Sequence, residues 1–238
     1  MLHENLLPKQ SYAFRAYTLA GGVASDSSEF VQTLTTDTTS HDFVWTITEH
    51  GTAFNNALYG IAKLSDTDIV AVGAMGEYDS VRNFALPRCI ARWNRREWKI
   101  LPLYYNNQYG NGLIPDVRDI ISFSPTENWL AGYAIFFWNG RDSVTQIVEE
   151  TQRFTPHYIL SEGESIIKLW GTSSQNLYGI GTAGVIVHYD GQTWRKMASG
   201  TTVDLNSISG SPDGTEVWVC GYDQSNGRSV LLRLQNGA

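Results

Sequence analysis

Tyrosines and carboxylates are concentrated in a few polar, glycine-containing stretches, where they are well placed to bind a sugar or a peptide. An aromatic ring offers an apolar platform, while carboxylate oxygens accept hydrogen bonds from hydroxyl and N–H groups. The stretches are YYNNQYGNGLIPD (104–116), SEGES (161–165), SGTTVD (199–204), MGEYDSVRNFALPR (75–88) and YDQSNGRS (222–229). The candidate ligand-binding residues are Tyr104, Tyr105, Tyr109, Asp116, Glu162, Glu164 and Asp204.

Two of these carboxylates together could also perform chemistry. Hydrolysis of a glycosidic bond needs two carboxyl groups roughly 5 to 9.5 Å apart, one of them serving as the acid. Glu164 with Asp116 or Asp204 is the candidate pair. The competing interpretation is that all of these side chains are ordinary solvated loop residues and that the chain has no catalytic residue.

Other kinds of chemistry find little support in the sequence. The five histidines (3, 41, 50, 157 and 188) lack the spacing of zinc ligands, and no segment is dense enough in Asp and Asn for a calcium loop. There is no glycine-rich phosphate loop before a helix and no nucleophile elbow. HYDGQTW (188–194) and SPDGTEVW (211–218) resemble the Asp-box of sialidase-like propellers, but glycine follows aspartate directly and breaks that pattern. We predict neither a metal nor a cofactor.

Composition narrows the class of protein. The chain has 238 residues, of which 42% are apolar and 17% charged, so a packed core is expected. The formal charge of −7 argues against a nucleic-acid partner, which needs a basic surface, and no apolar run approaches the ~20 residues of a membrane-spanning helix. Cys89 and Cys220 lie in apolar, strand-like stretches, and we predict that both are buried free thiols.

Repeated phrases predict the elements that position the loops. A strand and a polar turn lead into a second strand that stops at Gly73, Gly132, Gly181 or Gly221. A third strand follows, and its marker residues Trp93, Trp138, Tyr189 and Leu234 are spaced by 45, 51 and 45 residues. A period of about 40 to 50 residues built from four strands is typical of β-propeller blades. We therefore predict an all-β propeller of about four blades, nearly without helix.

The third strand of each repeat ends in Asn or Asp, usually followed by Gly. We interpret this dipeptide as a tight, primed hairpin turn, in which positive φ angles match the twist of the strands. Trp98 and Trp194 then open the fourth strand. In such a fold the loops between blades, and those between second and third strands, gather at one mouth of the channel.

The blades are expected at 57–104, 117–160, 165–199 and 205–238, and the last of them lacks a fourth strand. The segment 37–56 is a linker that contains a candidate for this strand, HDFVWTI (41–47). Either 43–47 pairs with 230–235 and closes a four-bladed ring, or the chain is part of a larger ring. Closure would remove an exposed strand edge. We nevertheless favour the larger ring, because a sequence that stops at a turn glycine looks cut.

Residues 1–36 read differently from the repeats. LLPKQSYAFRAYTLAGGVASDSSEFVQTLTT (6–36) has a proline-marked turn, an alternating strand, a Gly-Gly turn and a second strand. This segment resembles the C-terminal strands of a fibronectin type III domain, with Tyr12 in the place of the tyrosine corner.

Together with DTTSHDFVWTI (37–47), KLWGTSSQNLYGIG (168–181) and VIVHYDGQTW (185–194), this order resembles a family of large bacterial surface or secreted proteins of unknown function. In that family fibronectin type III modules precede a β-propeller. The resemblance implies an extracellular location and neighbouring domains in a longer parent chain. It brings no catalytic residues, so we predict a non-enzymatic module that binds a protein or a glycan. A carbohydrate-active enzyme of the hydrolase or lyase type is the alternative.

Overall fold

The computed structural model describes residues 7, 10–35, 44–52, 56–81, 83–107, 110–148 and 159–235. Their regular structure is β-strand apart from a 3-10 turn at Thr182–Gly184, so the predicted all-β class is confirmed. The chain divides into two compact units, Met1–Thr48 and Glu49–Ala238. Over the described ranges, no helix has the length and apolar character needed to cross a membrane.

The N-terminal unit contains one long hairpin in two parts. β2 (Tyr17–Ala20) and β3 (Val23–Ser27) turn through Gly21 and Gly22, both with positive φ, and β1 (Ser11–Phe14) pairs with β4 (Val31–Leu34). The hydroxyl of Tyr12 accepts a hydrogen bond from the backbone N–H of Leu7 at 2.8 Å. This bond ties the strand to the chain just before it.

The second unit consists of consecutive antiparallel sheets, which we call blades. Blade one comprises β5 (Ala57–Ser65), β6 (Asp68–Asp79), β7 (Phe84–Trp93) and β8 (Trp98–Leu101). Blade two comprises β11 (Asp119–Ser124), β12 (Glu127–Ala131), β13 (Ile135–Trp138) and β14 (Val144–Val148). In each blade the strands pair in the order of the sequence, as the repeats predict.

Between these blades the chain forms an additional hairpin, β9 (Leu103–Asn107) and β10 (Gly110–Ile114). It extends the sheet of blade two, because β9 pairs in parallel with β14. Most of the stretch 104–116 is therefore strand and not the open loop that its polar composition predicts. Leu103 and Ile114 explain the difference, since both are buried in the core between blades one and two.

Blade three comprises β15 (Ile166–Ser173), β16 (Asn176–Gly181), β17 (Ile186–Tyr189) and β18 (Trp194–Met197). Blade four has three described strands, β19 (Leu205–Gly210), β20 (Glu216–Asp223) and β21 (Arg228–Gln235). β21 pairs with β20 and with no other described strand. The described sheets are not closed into a ring, because blade four has three described strands and none of the described segments pairs with the outer edge of β21.

Apolar layers lie between successive blades. Phe136 and Trp138 of blade two pack with Val70 and Ile90 of blade one. A second layer joins blades two and three, and a third layer joins blades three and four. Since each sheet is apolar on both faces, only a neighbouring blade on each side buries it fully.

The glycines that end the second strands are required by close backbone approach. A Cβ on Gly73, Gly181 or Gly221 would overlap a carbonyl oxygen at the start of the paired first strand of the same blade. A Cβ on Gly132 would lie 3.1 Å from the carbonyl oxygen of Asp116. The recurrent glycine is therefore explained by packing of backbone on backbone.

The turns after the third strands are longer than the sequence predicts. Tyr189 pairs with Trp194, so four residues connect the strands, and of these only Gly191 has positive φ. The carboxylate of Asp190 accepts hydrogen bonds from the N–H groups of Gln192 at 3.0 Å and Thr193 at 2.8 Å. The prediction of a tight primed turn is wrong, because the Asp side chain supplies the acceptor that organises a wider loop.

Blades one and two repeat this arrangement. Asn139 accepts N–H bonds from residues 141, 142 and 143, and Gly140 has positive φ. In blade one Asn94 accepts two N–H bonds, and Arg95 adopts the positive φ without being a glycine. The three turns thus share one feature: the Asn or Asp that follows the third strand accepts backbone N–H bonds from the turn.

Two expectations about single segments need correction or restatement. Cys89 is a buried free thiol as predicted, and burial raises its pKa to about 12, but Cys220 is free and exposed. Cys220 lies on the face of blade four that no described blade covers. Of the candidate closing strand, residues 41–43 lie outside the described residues, and residues 44–47 form no strand.

Candidate functional site

Loops of blades three and four surround an open cleft of about 560 Å³. It is lined by Glu164, residues 183–185, residues 196–202 and Arg228. These are the loop that enters blade three, the turn between its second and third strands, the connection to blade four and the start of β21. The cleft therefore lies where loops of the kinds that the sequence predicts to gather do meet.

Glu164 is fixed on one side of this cleft. Its carboxylate accepts two hydrogen bonds from Lys196 Nζ, at 2.6 and 2.7 Å, and one from the backbone N–H of Ser161 at 2.7 Å. Burial acts to raise the pKa of Glu164, but the bonds from Lys196 and Ser161 outweigh it and bring the pKa below the ordinary value. Glu164 is consequently an anion at neutral pH whose oxygens are already engaged.

Asp204 supports the wall of the cleft from behind. Its Oδ1 accepts a hydrogen bond from the backbone N–H of Ala183 at 2.8 Å, and its carbonyl oxygen accepts one from the N–H of Tyr222 at 3.1 Å. Ala183 adopts a left-handed conformation with φ of 54°, which is costly for a residue other than glycine. Asp204 therefore stabilises a strained turn, and it reaches the cleft only through Ala183.

Arg228 is the cleft's other cation. Its backbone N–H donates to Asn226 Oδ1 at 3.0 Å, in the turn that precedes β21. The ion pairs and side-chain hydrogen bonds among the described residues do not include its guanidinium. With Lys196 neutralised by Glu164, Arg228 leaves the cleft with one positive charge available to a ligand.

The remaining candidate residues lie elsewhere. Tyr105 is half-buried, with its ring 5.6 Å from that of Phe136, and Tyr104 is exposed on the same strand. Asp116 forms an ion pair with Arg118 at 2.8 Å. Glu162 is exposed in a turn, and Tyr109 lies outside the described residues. Of the candidate residues in the described ranges, only Glu164 lines the cleft.

Sequence reasoning missed an ion pair between blades. Asp119 is buried, and its two oxygens accept hydrogen bonds from Lys168 Nζ and from the backbone N–H of Leu169, both at 2.9 Å. The pair joins the first strand of blade two to that of blade three. The sequence did contain a signal for this ion pair: an acidic residue begins one apolar first strand, and a lysine lies in the first strand of the next blade.

Histidines take structural positions in the described part of the chain. His188 Nε2 lies 2.8 Å from Asn176 Oδ1, the ring stacks on Tyr178, and burial lowers the pKa of His188. His50 contacts Trp98 edge-on with ring centres 5.5 Å apart. No group of three potential metal ligands occurs among the described residues.

No protein-family model matches the chain, and no curated protein matches it. Solved structures that resemble the chain include YCF48 from Cyanidioschyzon merolae, with 14% identity, a TM-score of 0.47, and coverage of 80% of this chain and 52% of that one. Another is YCF48 bound to D1 peptide, with 16% identity, a TM-score of 0.46, and coverage of 89% and 59%. The chain therefore spans between half and three fifths of the length of these two structures.

Proposed function

We propose that the chain is a β-propeller segment that acts as a non-enzymatic binding module, with its ligand in the cleft between blades three and four. The observation that carries the proposal is the cleft itself, which loops from two blades build around an uncompensated Arg228. Loops on a rigid sheet scaffold are the usual place for binding residues.

A peptide segment of a protein partner fits this cleft better than a sugar does. No described lining residue is aromatic, so the platform on which a sugar ring would stack is missing. Arg228 can instead pair with a carboxylate of a peptide. The preferred ligand is therefore a peptide with an acidic side chain.

The second candidate function, a carbohydrate-active enzyme, is less well supported because no candidate carboxyl group is suited to act as the general acid. A general acid must hold its proton near neutral pH, which requires a raised pKa. The pKa of Glu164 is lowered, Asp204 is bonded to the N–H of Ala183 and Asp116 is paired with Arg118, so none of the three has the surroundings of a catalytic acid. Release of reducing ends from a panel of polysaccharides, abolished by Glu164→Gln, would restore this alternative.

We also propose that the N-terminal hairpin belongs to a fibronectin type III-like domain of a longer, exported bacterial protein. The bond from the Leu7 N–H to the Tyr12 hydroxyl supports this, because the tyrosine corner of that fold makes such a bond to the chain upstream. The proposal predicts a signal peptide and further fibronectin modules in the reading frame upstream.

Selection from a random dodecapeptide library tests the binding proposal. We expect enriched peptides to contain Asp or Glu, and Arg228→Glu to weaken their binding at least tenfold. Arg96→Glu makes the same charge change on an exposed turn of blade one and should leave binding unaltered. Equal binding by the Arg228→Glu variant, or selective binding of neutral glycans on an array, would contradict the proposal.

A further inference from the structure

The charged groups of the cleft between blades three and four add up to a small positive charge. Among the described lining residues the cations are Lys196 and Arg228, and the anion is Glu164. The remaining lining residues, 183–185 and 197–202, have uncharged side chains. The cleft therefore has a net charge of +1, which limits how much negative charge a ligand can bring.

Glu164 presents its negative charge to the cleft from a largely buried position. Its side chain is 11% exposed, whereas that of Lys196 is 37% exposed. Lys196 Nζ donates to both carboxylate oxygens, and the backbone N–H of Ser161 holds the carboxylate from the other direction. Because salt and water screen a buried charge less than an exposed one, the charge of Glu164 acts on any anion that enters the cleft.

Arg228 faces the same cleft from blade four. By the alternation of β21 it shares a side of the strand with Val230 and Leu232, which pack against blade three. One carboxylate can pair with its guanidinium through two hydrogen bonds, and this pairing uses all of the excess positive charge. A second carboxylate beside the first would meet no further unpaired cation among the described lining residues, and Glu164 would repel it.

We propose that Glu164 determines the specificity of this site and restricts its ligand to peptides that place a single acidic side chain in the cleft. This inference rests on the proposed function, because it requires Arg228 to bind a carboxylate of a peptide. The oxygens of Glu164 already accept bonds from Lys196 and Ser161, so Glu164 selects by repelling a second carboxylate and not by bonding to the ligand. Such repulsion is a general means of discriminating between related partners.

Glu164→Gln tests this role, because the amide oxygen can still accept the bond from the Ser161 N–H while Lys196 loses its counter-charge. The probes are a library-selected peptide with one aspartate and the same peptide with a second aspartate beside the first, both capped to remove terminal charges. Isothermal titration calorimetry measures their affinities. The wild type should bind the one-aspartate peptide more tightly, whereas Glu164→Gln should bind the two-aspartate peptide about fivefold more tightly, as expected for one added, partly exposed ion pair.

Two further variants control this experiment. Glu162→Gln removes the same charge from an exposed side chain in the same turn, outside the cleft, and should keep the wild-type preference. Lys196→Gln lowers the net charge of the cleft and should weaken binding of the one-aspartate peptide about fivefold. Tighter binding of the two-aspartate peptide by the wild type, or equal changes in Glu164→Gln and Glu162→Gln, would overturn the role of Glu164 but not the binding function. Failure of the wild type to bind any acidic peptide would contradict both.

Discussion

Blades three and four share a sequence pattern, but they differ in how completely that pattern is buried. Tyr178 and Trp218 occupy matching positions three residues before the glycine that ends the second strand. Tyr178 is covered by blade four, whereas Trp218 is 39% exposed on the uncovered face. An alternating strand thus sets which residues share a face, but the next strand and the next blade decide whether that face is buried.

The largest expected effect comes from two tryptophans in equivalent positions of blades two and four. Trp129→Ala should lower the free energy of unfolding by about 3 to 5 kcal/mol, because Trp129 is buried against Phe137, Tyr189 and Trp194. Trp218→Ala should cost about 1 kcal/mol or less, since this ring is partly exposed. Urea unfolding followed by circular dichroism measures both. Equal losses would show that blade four is covered in solution.

The glycine at the end of the second strand gives the next effect. Gly181→Ala should lower the free energy of unfolding by about 3 kcal/mol, because the new methyl group overlaps the carbonyl oxygen of Ser165. Gly200→Ala is the control, since it has positive φ but open space around it, and should cost about 1 to 2 kcal/mol. Chemical unfolding of the two variants side by side gives the difference. A smaller loss for Gly181→Ala would contradict the close-approach explanation.

The next comparison is between an ion pair that joins two blades and an ion pair on the exposed face of blade four. Asp119→Asn should cost about 2 kcal/mol, because the buried carboxylate accepts bonds from Lys168 and from the N–H of Leu169. Glu216→Gln removes the charge that pairs with the exposed Arg233 and should cost less than about 1 kcal/mol. Thermal unfolding at low and high salt checks this. Only the second loss should shrink as salt rises.

The smallest expected effect is a pH dependence that distinguishes the turn of blade three from that of blade one. Hydrogen bonds from the N–H groups of Thr193 and Gln192 lower the pKa of Asp190 below its ordinary value of 3.8. Its stabilising contribution is therefore complete above pH 3.8 and is lost as pH falls through the lower folded-state pKa.

Asp190→Asn should consequently be less sensitive to acid than the wild type, because an amide oxygen still accepts hydrogen bonds but does not titrate. Asn94→Ala, in the matching turn of blade one, removes an acceptor that does not titrate and should destabilise the chain equally at neutral and acid pH. Urea midpoints on either side of pH 3.8 compare the three proteins. Identical acid sensitivity in Asp190→Asn would assign the dependence to other carboxylates.

The strands were predictable from the sequence because their signal is local. Gly73, Gly132, Gly181 and Gly221 end apolar runs at regular intervals, and the backbone approach that requires them recurs in the blades. Turn length was less predictable. The dipeptide Asp-Gly occurs both in two-residue turns and in wider loops, so the sequence alone does not decide the turn length. In the structure Tyr189 pairs with Trp194, which makes the connection at Asp190 a four-residue loop.

The cleft was harder to predict because its lining comes from segments far apart in the sequence. Glu164 was a candidate by residue type, but Lys196 and Arg228 lie in strands whose composition gives no sign of a shared site. Tyr105 was a candidate for the same reason as Glu164, yet its ring packs against Phe136. Cys220 was predicted to be buried because its strand is apolar, but it is exposed, since no described blade covers that face of blade four.

Amide hydrogen exchange tests the central claim that no strand of the described ranges pairs with the outer edge of β21 in blade four. Residues 186–189 of β17 have a partner on each side, so their exchange should be uniformly slow. Along residues 228–235 of β21, slow and fast exchange should alternate, because only the N–H groups that point towards β20 are bonded. Uniformly slow exchange along β21 would contradict the account.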